Sequence, residues 1–77
     1  MKVLENHINV FVFNHYALLE VREIFEHEFE GKTYTQDNVI YEEKYPINSE
    51  GWQDIMEDVA YFQHKYNTEA RFETLTK

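Results

Sequence analysis

A chain of 77 residues without a single cysteine must fold with neither a disulfide nor a thiolate-bound metal to staple it. A domain of this size buries only about 60% of the surface its unfolded chain exposes, so the placement of apolar residues decides whether it folds. They are plentiful: 43% of the residues are hydrophobic, and six Phe, six Tyr and one Trp lie among them. That is enough for a core despite a net charge of −8. One domain over residues 1–77 is expected. No run approaches the ~18 apolar residues of a membrane span, and the start MKVLENH lacks the apolar stretch of a secretion signal. The expectation is a soluble, cytoplasmic protein.

Ile8, Val10 and Val12 alternate with Asn9, Phe11 and Phe13, a period of two in β-branched and aromatic residues that predicts a first strand over 3–13. Asn14 then suits a helix cap, with Phe13 and Leu18 at the spacing of a hydrophobic staple. Leu18, Val21, Phe25 and Phe29, with Ile24 beside them, follow three- and four-residue steps and predict a helix to about Glu30. Gly31 stands where a left-handed terminator belongs. The run KTYTQDNVIYEEKY predicts two strands, 32–36 and 39–45, turning at Asp37-Asn38 and stopped by Pro46. A second helix, capped by Asn48 or Ser49, carries the stripe Trp52, Ile55, Met56, Val59, Phe62 and Tyr66, and 69–75 alternates weakly as a last strand.

The predicted order is β-α-β-β-α-β, the α+β ferredoxin-like arrangement, in which a four-stranded antiparallel sheet carries two helices on one face. Ile8, Val10 and Val12 would then face the helices and leave Phe11, with Ile40, on the open face. The hexamer VFVFNH resembles the β1 motif of RNA-recognition motifs, which share this topology, and that resemblance implies a base stacked on Phe11. It departs from the motif at His15, and the run NVIYEEKY has no Gly-aromatic pair where the second motif belongs. A net charge of −8 weighs against phosphate binding, which draws on Lys and Arg. Direct nucleic-acid binding is not expected. The open face around Phe11 and Ile40 suits a homodimer, which would add burial that a small chain lacks.

With Ser49 the only serine and Gly31 and Gly51 the only glycines, nucleophilic triads and phosphate-cradling loops have no material. Adjacent carboxylates such as Glu42-Glu43 point to opposite faces of a strand and do not suggest acid-base catalysis. No enzyme activity and no cofactor are expected. Glu23, His27 and Glu30 would share a helix face within reach of a divalent ion, but a solvated face with Glu23 and His27 paired is the favoured reading, and no metal is expected.

The charge is concentrated: Glu20 to Asp58 holds 12 acidic and 3 basic residues, net −9. On two helices, Glu20, Glu23, Glu26 and Glu30 on the first and Asp54, Glu57 and Asp58 on the second would form rows of carboxylates. Such rows could imitate the phosphates of a duplex and bind a basic, nucleic-acid-binding protein. Small size, acidity and aromatic richness resemble in type the inhibitors that phages and mobile elements direct at host proteins. A structural or regulatory subunit dimerising through the open sheet face, and a metal- or small-molecule-sensing module, are the alternatives.

Overall fold

A computed structural model describes residues 2–75. Their order is β1 (Lys2–Val12), β2 (Tyr16–Phe29), β3 (Lys32–Pro46), α1 (Ser49–Tyr66) and β4 (Ala70–Thr74). The sheet runs β3-β2-β1-β4, antiparallel between β1 and β2 and between β2 and β3, with β4 parallel to β1. The ferredoxin-like expectation is overturned: there is one helix rather than two, the sheet is mixed, and no helix separates β1 from β2. The topology shared by RNA-recognition motifs goes with it.

The difference lies in residues 16–29, YALLEVREIFEHEF, which satisfy two periods at once. Steps of three and four collect Leu18, Val21 and Phe25; steps of two collect Ala17, Leu19, Val21 and Phe25, and it is this second set that is buried. As a strand the segment pairs with β1 on one side and β3 on the other, so both ladders are satisfied along it. A helix there would leave β1 without its antiparallel neighbour.

The turns follow. Asn14 caps no helix; it sits with His15 in a tight reversal in which the Phe13 N–H donates to the Tyr16 carbonyl at 2.9 Å and the two rings lie 4.8 Å apart. Glu30 and Gly31 both adopt positive φ, 51° and 76°, between the paired Phe29 and Lys32. Two consecutive left-handed residues make the hairpin turn whose twist matches its strands. Gly31 therefore closes a hairpin instead of ending a helix. Asp37 and Asn38 lie within β3, opposite Ile24 and Glu23, and not in a turn.

The second half of the chain follows the sequence closely. Asn48 caps α1, its side-chain oxygen accepting the Gly51 N–H at 2.7 Å, and Asn67 ends it in the left-handed conformation. Gln63 then receives the Ala70 N–H at 2.8 Å, which ties the helix end to the start of β4. Ile55, Val59 and Phe62 pack on Ile8, Val10, Ala17, Leu19, Val21 and Tyr45, the core of the domain. Each large apolar side chain buried there contributes roughly 1.5–3 kcal/mol. Among the described residues no helix is long and apolar enough to cross a membrane.

The domain measures 51 × 28 × 15 Å. The ribbon of β2 and β3 runs about 50 Å at 3.3 Å per residue, whereas the 18 residues of α1 span about 27 Å. The last turns of α1 lie over Tyr41, whose ring is 4.7 Å from that of Phe62, and level with Ile8, the partner of Ala70. Beyond that level β1, β2 and β3 continue without a helix above them, as an arm of one layer.

Candidate functional site

The carboxylates predicted to form one row on a first helix are dispersed by the strand. Alternation places Glu20 and Glu26 on the open face and Glu23 on the helix side, while Glu30 is in the hairpin turn. Glu20 is 8% exposed and serves the fold. It accepts from Arg22 Nε at 2.6 Å and Nη2 at 3.4 Å, with Asn9 Nδ2 at 3.5 Å, and Arg22 Nη1 reaches Asp37 at 3.2 Å. Hydrogen bonds to Glu20 first and to Asp37 second hold the guanidinium charged. Glu23 and His27 are four strand residues apart, about 13 Å along the backbone. They form neither the pair nor, with Glu30, the chelate that helical spacing implies, because that spacing does not exist here.

The open face answers to the same alternation. Phe11 pairs with Leu18 and is half-buried, while Ile40, exposed, is the extra residue of a bulge in β3 between the partners of Val21 and Arg22. The two lie on different strands, separated by β2 and by several residues along it. Phe11 and Leu18 form a small apolar spot on this face, bounded by the Glu20–Arg22–Asp37 network on one side and by Lys44, 4.9 Å above the Tyr16 ring, on the other.

The acidic residues of α1 fare differently. Asp54, Glu57 and Asp58 keep their helical spacing and face Glu43 of β3 across an open groove of about 460 Å³, floored by Tyr41 and Tyr45. Glu43 points to the helix side because it pairs with the buried Leu19. Neighbouring Glu42 pairs with Glu20 and points away. β3 is one of the two edge strands of the sheet, so the groove borders a strand with a free backbone edge. The residues that sequence reading missed are Tyr41, Glu43 and Tyr45; their steps of two on one face were the available signal.

Asp58 is partly committed within the domain. Tyr45, buried, donates its hydroxyl to Asp58 Oδ2 at 2.6 Å. Burial first, and that bond second, push the phenol far above its ordinary value near 10. The folded state therefore resists losing this proton while the unfolded chain gives it up near pH 10. The resulting stability is fully present below pH 10 and declines as pH rises past it, by at most about 1.4 kcal/mol per pH unit from this one group. Tyr45→Phe is expected to lower stability at pH 7 by about 1–2 kcal/mol through the lost bond, and to flatten the decline above pH 10. Urea unfolding at pH 7, 9, 10 and 11 checks this; parallel declines in both proteins would remove Tyr45 as the cause.

Four carboxylates converging beside a free strand edge can receive cations, guanidinium and ammonium groups above all, while the tyrosine rings offer flat apolar contact. Compared with protein-family models, with curated proteins and with solved structures, the chain matches none.

Proposed function

We propose that this chain is a non-enzymatic interaction module of the cytoplasm that holds a basic partner, of the nucleic-acid-binding kind, against the groove between β3 and α1. The observation that supports the reading is the convergence of Glu43, Asp54, Glu57 and Asp58 over Tyr41 and Tyr45. Carboxylates gathered on one side of a chain of net charge −8 attract a basic surface from a distance and favour it over acidic competitors. Imitation of duplex phosphates rests on these residues and not on Glu20, Glu23, Glu26 and Glu30, which point in different directions.

The test reverses the charges that are free to be reversed. Glu43, Asp54 and Glu57 are exposed and carry no side-chain hydrogen bond in the described structure, whereas Glu20 is bonded to Arg22 and Asp58 to Tyr45. The variant Glu43→Lys/Asp54→Lys/Glu57→Lys is expected to keep its circular dichroism and to lose a basic nucleic-acid-binding protein retained from nuclease-treated lysate by the unaltered chain. That protein should leave at high salt, since exposed charges are screened beyond about 10 Å at 0.1 M, and duplex DNA should displace it. Equal retention by the triple variant, or retention indifferent to salt, would overturn the reading.

A further inference from the structure

The arm beyond the helix has one face that differs in charge from the rest of the molecule. Strand alternation and register put Val3, Phe25, His27, Phe29 and Tyr34 on the same side of the sheet as α1, but past its end. Phe25 is buried against its neighbours, the His27 ring lies 6.2 Å from Phe25 and 5.8 Å from Tyr34, and Phe29 and Tyr34 are 62% and 43% exposed. Among the described residues of this face the formal charges are Glu23 and Lys32, which cancel. The reverse side of the same arm bears Glu5, Glu26, Glu28 and Asp37 against Lys2 and Arg22.

We infer that this face is a self-association surface, and that its occupant is the same face of a second copy. Two chains of net charge −8 repel, which favours contact through a surface that is locally neutral, and this one is both neutral and aromatic. The geometry is self-complementary as well. A helix layer is about 10 Å thick, and stacked sheets lie about 10 Å apart. The arm of a partner laid antiparallel over this arm therefore continues the layer that α1 begins, and the end of each α1 meets the tip of the other arm. A two-fold axis generates both contacts at once. Each face is roughly 27 Å long and roughly 14 Å wide as far as Lys2 opposite Glu26, narrowing to the two strands β2 and β3 beyond, so that with side-chain relief two of them lie toward the small end of specific interfaces, at ~1,000 Å². This surface lies at the opposite end of β3 from the acidic groove, so the inference stands apart from the function proposed for that groove.

The experiment is sedimentation velocity on the full chain at tens of micromolar. The expected species has twice the 9.4 kDa chain mass. Phe29→Glu/Tyr34→Glu should halve it while leaving the circular dichroism unchanged, and Val39→Glu, exposed on the reverse face, should leave the dimer intact. A monomer in the unaltered chain overturns the inference; so does a dimer that survives Phe29→Glu/Tyr34→Glu or is lost with Val39→Glu. Should the double variant fail to fold, a soluble paramagnetic agent applied to the unaltered chain decides. Phe29 and Tyr34 should be shielded relative to Tyr61, which is comparably exposed in one copy, and equal broadening of all three would count against the dimer.

Discussion

Gly51→Ala is expected to lower the melting temperature, although alanine is the better helix former. A β-carbon at this third residue of α1 would overlap the carbonyl oxygen of Pro46 and sit 2.9 Å from its carbon. The obstacle is backbone, which cannot rotate aside as a side chain can. Alanine in place of glycine favours the helix by about 1 kcal/mol. Against it stand about 1–3 kcal/mol for forcing apart a packed contact and about 1 kcal/mol if the bond from the Gly51 N–H to Asn48 is lost as the helix start moves. The net loss is roughly 1–3 kcal/mol, a fall of about 5–20 °C for a domain of this length. A thermal melt by circular dichroism decides, and an increase would mean that α1 does not start against Pro46. The same contact fixes where Asp54 and Glu57 stand relative to Glu43. A variant that stays folded should therefore also bind the basic partner more weakly.

How far the fold can be read from the sequence depends on how many periods a segment satisfies. In α1 only one works: Ile55, Val59 and Phe62 are buried at helical spacing, with Asn48 before them and Asn67 after, and the segment is the helix expected, although Met56 of the expected stripe is exposed. The faces of β1 are equally legible, since Ile8 and Val10 are buried under the helix and Phe11 lies opposite. β2 is the ambiguous one. Local signals at Asn14, Leu18 and Gly31 are consistent with a helix, and only the long-range pairing with β1 and β3 selects the strand. The candidate site inherits this division. Asp54, Glu57 and Asp58 keep their predicted relation to one another, whereas Glu20, Glu23, Glu26 and Glu30 lose theirs. Glu43 lies in a strand that the sequence already marks over 39–45, and it joins the site only through the pairing of β3 with β2, which turns Tyr41, Glu43 and Tyr45 toward the helix.

The choice between helix and strand in residues 16–29 can be tested with two neighbouring leucines. Helical spacing puts Leu18 on the apolar stripe with Val21 and Phe25 and leaves Leu19 off it; the strand reverses their ranks. Leu19 is fully buried among Val10, Val21 and Ile55, whereas Leu18 is half-buried on the open face beside Phe11. Removing the Leu19 side chain beyond its β-carbon loses its transfer free energy and leaves a cavity between sheet and helix, about 2–5 kcal/mol together. A domain of this length has only about 4–12 kcal/mol in all. Leu19→Ala is thus expected to bring the protein close to unfolding at room temperature. Leu18→Ala vacates a site that water already reaches and should cost about 1 kcal/mol or less. Denaturant midpoints of the two variants measured side by side give the ranking, and since they differ from the parent by the same atoms, intrinsic propensity largely cancels. A larger loss at Leu18 than at Leu19 would return the segment to a helix and undo the sheet order, the arm and the placement of Glu43 with it.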